Sequence, residues 1–135
     1  MDILTPAQRS YCMSRVKGRD NALESRVRSE LHRRGWRFRK HVRDLPGKPD
    51  IVFRGARVVV FLDGDFWHGY RFSQWCDRLP EFWRTKIEAN RTRDRRNFSR
   101  LRYAGWRVLR IWQHEIKRHF AACIERIEQA LSPSD

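Results

Sequence analysis

The sequence predicts a mixed α/β fold in which a central sheet of about four strands is flanked by helices. Three observations predict it. Leu23, Val27 and Leu31 recur every four residues over 21–34, the stripe of an amphipathic helix. Two short apolar runs, Ile51-Val52-Phe53 and Val58-Val59-Val60-Phe61-Leu62, are joined by the turn Arg54-Gly55. A long helical stretch then precedes one more strand and a closing helix. The order helix, helix, three strands, helix, strand, helix suits a sheet covered by helices.

Each element has its own signals. Thr5-Pro6 reads as an N-cap followed by proline at the first helical position, opening a short helix to about Val16. Lys17-Gly18-Arg19-Asp20 interrupts it, leaving a helical arm over about 1–19. Gly35 ends the second helix. Trp36 to Arg39 alternates apolar with basic residues, as an edge strand does, and Pro46-Gly47-Lys48-Pro49 turns the chain into the hairpin. From Gly64 to Leu79 no period is found, and four aromatics crowd Asp65 to Phe72. An aperiodic aromatic loop in a small domain is usually functional. Pro80 starts a helix through Tyr103, closed by Gly105. Trp106 to Trp112 is a strand, and His114 to Leu131 a helix with Ile116, Phe120, Ile124, Ile127 and Leu131 on one face. Residues 132–135 form a frayed tail to a single domain over 1–135.

The 135 residues suit one core, not two. The net charge is +14, and 25 of the 30 basic residues are Arg. Arginine pairs with phosphate through two N–H groups and stacks on bases, so this bias favours a nucleic-acid partner. No run of about 18 apolar residues is present, and no segment is basic on one face and apolar on the other, which argues against a membrane. Cys12, Cys76 and Cys123 are an odd set without a C-x-x-C, as expected of a reducing cytoplasm.

The acids of the hairpin carry the chemistry. Asp50 opens its first run and Asp63 closes the second. Antiparallel pairing brings the start of one beside the end of the other, so both carboxylates meet at one sheet edge. Two close carboxylates in a basic protein suit Mg²⁺, which prefers oxygen ligands and takes few of them from protein. Such an ion beside a phosphate promotes phosphodiester cleavage.

Pro49-Asp50, Asp63 thirteen residues on and an upstream helix bearing Glu24 resemble the PD-(D/E)xK nuclease fold, a restriction-endonuclease-like core. Closer still, the motifs from Leu45 to Asp50 and from Asp63 to His68 resemble the very-short-patch repair endonucleases. So do Phe82-Trp83 with Lys86, Ile87 and Asn90, Arg93-Asp94-Arg95-Arg96, and Gly105 to Leu109. The resemblance runs from about Ser10 to His114. It implies nicking of duplex DNA beside a T:G mismatch with Mg²⁺, in DNA repair. It assigns Asp50 to the metal, Glu24 to the helical glutamate that supports the metal through water, His68 to proton transfer, and the backbone carbonyl of Leu62 to the metal. It assigns Phe66, Trp67 and Trp83 to wedging between bases. Asp63 stands where the family's pattern has histidine, which supplies a second carboxylate. The family's structural zinc ligands correspond here to Asp65, Tyr70 and His114, with Cys76 nearby, and such a set is too incomplete for zinc.

Each residue has a plainer reading. Asp50 and Asp63 could be turn acceptors, His68 a core or surface histidine, and Glu24 the partner of Arg28 on a helix surface. Trp36, Trp106 and Trp112 read as core, and Trp83 either as core or as wedge. Between Arg84 and Arg110 ten basic residues face only Glu88 and Asp94, so Arg91, Arg93, Arg95 and Arg96 are expected to grip phosphate. The sequence therefore predicts a monomeric, Mg²⁺-dependent endonuclease acting on mismatched duplex DNA, with repair proteins as further partners. A catalytically decayed DNA-binding module and a sequence-specific restriction-type nuclease are the alternatives.

Overall fold

The computed structural model describes residues 22–132, so the arm expected over 1–19 and the last three residues of the tail lie outside the described residues. Helix α1 spans 22–33. Val27 and Leu31 are fully buried, and the Trp36 N–H returns to the Leu31 carbonyl past Gly35, whose φ is +92°. That is the left-handed closure glycine favours.

Strands β1 (Arg39–Lys40), β2 (Ile51–Phe53), β3 (Val58–Asp63) and β4 (Arg107–Trp112) form one sheet in the order β1-β2-β3-β4. The first two pairings are antiparallel and β3–β4 is parallel. A parallel pair needs a crossover, and the long helix α2 (Glu81–Tyr103) supplies it. The closing segment is α3 (Gln113–Arg118) followed by α4 (Phe120–Leu131). The result is a restriction-endonuclease-like α/β core.

Side-chain parity sorts the core onto two faces. Ile51, Phe53, Val58, Val60, Leu62 and Ile111 pack with Val27 and Leu31 of α1 and Ile124 and Ile127 of α4. Val52, Val59 and Phe61 pack with Phe98 and Leu101 of α2 and with Trp106. The sheet is thus buried on both sides, which explains why β3 is an unbroken apolar run rather than an alternating one.

Two expectations are corrected. The edge strand is two residues, not four, because Trp36 is drawn to a helix: its Nε1 donates to Glu128 at 2.9 Å. Phe38 stacks on His32 of α1, with ring centroids 4.4 Å apart. The closing helix breaks at His119, where φ is −136° and ψ 52°. Glu115 spans the break, accepting from the Trp112 N–H at 3.1 Å and from Arg126 at 3.0 Å. The apolar pattern runs through the break unchanged, so periodicity alone did not reveal it. Among the described residues no helix is long and apolar enough to cross a membrane.

Candidate active site

Parity also builds the site. Residues 52, 59 and 61 face α2, so Asp50 and Asp63 project on that same side. Residue 110 on β4 does so as well, beside Phe98. Asp50 meets β3 through its own N–H, 3.1 Å from the Val60 carbonyl, while its Oδ2 accepts the Leu62 N–H at 2.7 Å. Gly47 in the preceding turn has φ +77°, and a Cβ there would lie 3.0 Å from the Phe61 ring. Only glycine lets the turn come this close. One cavity receives Glu24, Lys48, Asp50, Asp63, His68 and Asp94, with Leu62 and Trp67 in its wall.

Within that cavity the acids divide into two groups. Ligand atoms of Glu24, His41 and Asp50 lie within 4.8 Å of one another, as do those of Asp63, His68 and Asp94. The expected hairpin juxtaposition is present, yet Asp50 and Asp63 belong to different groups. Glu24 forms the i,i+4 ion pair with Arg28 of its plainer reading, at 3.7 Å.

The electrostatics differ between the groups. Burial pushes the Asp50 carboxyl up to about 7; the Leu62 N–H opposes the shift and the charges of Glu24 and Asp63 add to it. Among the described residues no arginine or lysine is paired with it. A partly buried carboxylate with no paired cation, close to a second carboxylate and an imidazole, fits a divalent ion. Burial raises Asp63 too, against the lowering effect of His68 and Arg110. Asp63 Oδ2 is 2.7 Å from Arg110 Nε, and its Oδ1 is 3.5 Å from His68 Nε2. Burial alone would lower the His68 imidazole, but the hydrogen bond with Asp94 and the charges of Asp63 and Asp94 outweigh it, and its pKa is raised. His68 Nδ1 is 2.7 Å from Asp94 Oδ2.

The aromatic loop is held from several sides. Asn90 of α2 donates to the Trp67 carbonyl at 3.0 Å, and Trp75 Nε1 to the Tyr70 carbonyl at 2.9 Å. Gly69, at φ +71°, leaves space that Arg91 fills: a Cβ would sit 2.7 Å from its Cδ. The three expected wedge residues are brought together, with ring centroids of Phe66 and Trp67 5.4 Å apart and those of Trp67 and Trp83 5.5 Å apart. Phe82, named in the sequence only as part of the Phe82-Trp83 motif and not as a wedge, extends the cluster; it is 68% exposed and packs edge-on to Trp83. Lys86 Nζ lies 5.4 Å from the Trp67 ring centroid. Trp106 is core, as expected, while Trp36 and Trp112 are only partly buried.

Arg93, Arg95 and Arg96 are exposed on α2, and Arg91 lies over the Phe72 ring. At 100° per residue, Arg96 points about 200° from Asp94, away from the sheet, whereas Arg93 and Arg95 flank it. At the expected zinc positions, Asp65 Oδ1 is 2.8 Å from His114 Nδ1, and the Tyr70 ring packs on His114 at 4.4 Å. Cys76 instead contacts the Ser73 carbonyl and Asp77.

Sequence reasoning missed Asp94, Arg110, His41 and Lys48 as site residues. Asp94 had a signal, as a lone acid in a basic helical run. Arg110 had one too, as a charged residue between Val108-Leu109 and Ile111-Trp112 in an otherwise apolar run.

A cavity lined by four carboxylates and a carboxylate-bound histidine, with exposed arginines on α2, suits a DNA endonuclease. The comparisons with known proteins agree. The model of the family described as DNA mismatch endonuclease Vsr matches residues 1–74. A type II nicking enzyme, V.XorIIP of Xanthomonas oryzae pv. oryzae, is 44% identical over 98% of both chains. The DNA mismatch endonuclease Vsr of Escherichia coli K12 is 41% identical over 95% of this chain and 86% of its own. The type II nicking enzyme V.NmeDIP of Neisseria meningitidis serogroup C is 38% identical over 97% and 90%. This chain belongs to the Vsr family of DNA endonucleases.

Proposed function

We propose that this chain nicks one strand of duplex DNA at a T:G mismatch by Mg²⁺-dependent phosphodiester hydrolysis, as a monomer in cytoplasmic DNA repair. The observation that carries the reading is the partly buried Asp50, without an ion-pair partner, in one cavity with the His68–Asp94 pair, beside an aromatic cluster.

Asp50 and the Leu62 carbonyl would hold the ion, with Glu24 in support through water and Asp63 Oδ1 facing the same cavity. The ion would acidify the attacking water and offset charge on the phosphate. Asp94, bound at Nδ1, keeps the His68 proton on that nitrogen, so Nε2 is the atom that exchanges a proton with the reacting oxygens. Lys48, in the cavity wall, offers an ammonium to the phosphate. Phe66, Trp67 and Trp83 enter the base stack. Unstacking costs a few kcal/mol per step, and less where pairing is already poor. That difference is a physical source of mismatch preference.

A second reading is nicking at a specific duplex sequence, favoured by the relatives named type II nicking enzymes. A panel of duplexes carrying each mismatch in varied flanks, cut with and without Mg²⁺ and mapped to the nucleotide, separates them. Mismatch nicking expects cleavage confined to T:G duplexes with Mg²⁺ present. Equal cleavage of the perfectly paired duplex would overturn it.

A further inference from the structure

We propose that Arg110 is an internal cation occupying the Asp63–Asp94 carboxylate pair, so that in the native chain no divalent ion binds between those two acids. The proposal rests on the reading of the cavity as a metal-dependent nuclease site.

The geometry is that of an occupied cation site. Arg110 Nε donates to Asp63 Oδ2 and its Nη2 to Asp94 Oδ2, both at 2.7 Å. The two carboxylates come from β3 and α2, and one guanidinium spans them. With His68 they would otherwise form a group close enough to hold an ion, all ligand atoms within 4.8 Å. Arg110 is also held in place. Its guanidinium lies 4.2 Å from the Trp112 ring centroid and 5.0 Å from that of Phe98. Arg126 donates to its backbone carbonyl at 3.2 Å.

The charge count points the same way. Ionised, Asp63 and Asp94 together carry −2; Arg110 leaves −1, and a protonated His68 beside both acids leaves none. A divalent ion entering there would have to break two charge-assisted hydrogen bonds and leave a half-buried guanidinium unpaired. Asp50 itself has no such ion-pair partner among the described residues, and the cation paired within its group, Arg28, is 3.7 Å from Glu24, longer than either contact of Arg110. Arg110 thus acts as a positioning residue: it sets Asp63, and through Asp94 it sets His68.

The test is a Mn²⁺ titration of the full chain, with free ion counted by electron paramagnetic resonance. Arg110→Met keeps the apolar stem against Phe98 and Trp112 but removes the charge, and it is expected to bind one ion more per chain than the native protein. Arg110→Lys keeps the charge and is expected to show no gain. Adding Asp63→Asn and Asp94→Asn to Arg110→Met should erase the gain. An unchanged count in Arg110→Met, or a gain that survives those two changes, overturns the proposal. If Arg110→Met does not fold, the native chain still decides. Two ions, one of them lost in Asp63→Asn with Arg110 intact, overturn the proposal; a single ion retained in Asp63→Asn supports it. The gain is a difference from the native count, so it is read even if Asp50→Asn shows that the native chain holds no ion at Asp50, the result that would remove the nuclease reading.

Discussion

His68 Nδ1 lies 2.7 Å from Asp94 Oδ2, which ties a loop histidine to a helix acid 26 residues further along the chain. The contact decides which imidazole nitrogen faces the cavity. Asp94→Asn is expected to lower the nicking rate by about 10²–10⁴, the usual worth of a positioned acid–base group. His68→Ala should cost about as much, and the double variant little more, because the two act as one unit. Single-turnover rates on the mismatched duplex check this; fully multiplicative losses would mean that the two act separately.

Asp50→Asn should abolish nicking and leave DNA binding intact or tighter, since a carboxylate near phosphate is removed. It should also stabilise the protein in a pH-dependent way. The folded carboxyl is raised from 3.8 to about 7, so the folded state holds its proton more tightly than the unfolded state does. Below about pH 4 both states are protonated and the residue costs nothing. As pH rises through about 7 the cost grows to its full size, on the order of a few kcal/mol. Melting temperatures at pH 5 and pH 8 should show the larger gain for Asp50→Asn at pH 8. Equal gains at both would contradict the burial effect.

Proton and metal compete for the same oxygen at Asp50. The Mg²⁺ concentration for half-maximal nicking should therefore fall as pH rises from 6 to 8. A half-saturation value independent of pH would argue against Asp50 as the ligand.

Arg93→Ala and Arg95→Ala should each flatten the log–log salt dependence of DNA binding by about one. Arg96→Ala should change it less, because that side chain points away from the sheet. Equal effects at all three would mean that the DNA wraps the outer side of α2.

Replacing Phe66 and Trp67 together by Ala should shrink the ratio of mismatched to matched cleavage, with a smaller effect on low-salt binding. Both rings pack on Trp83, so circular dichroism must first show a folded variant. A folded variant with its full mismatch preference would remove the wedge role from this loop.

The purified protein is expected to carry less than stoichiometric zinc by elemental analysis, since Asp65 and His114 offer only two of the four ligands a structural zinc needs and Tyr70 stands at a third position. Asp65→Ala should cost about 1 kcal/mol, the usual worth of one hydrogen bond, seen as a drop in melting temperature. Stoichiometric zinc lost together with stability on chelation would show that these residues serve a metal instead.

The sequence by itself determined the elements and the hairpin that carries the acids. The α1 stripe, the apolar run of β3 and the glycine closures at Gly35 and Gly105 are local signals, set by side-chain periodicity and backbone freedom. Antiparallel pairing with a short turn then leaves little choice about where Asp50 and Asp63 stand. Only the tertiary structure decided how the acids divide. Asp94 and Arg110 reach the site because α2 crosses over between β3 and β4 and lays one face on the sheet, a contact between residues far apart in the chain that no local pattern encodes. On the other face, contacts made by the closing segment bridge its break through Glu115 and Arg126 and draw Trp36 off the edge strand to Glu128. Periodicity records which side of an element is buried; which partner buries it is fixed by packing across the whole chain.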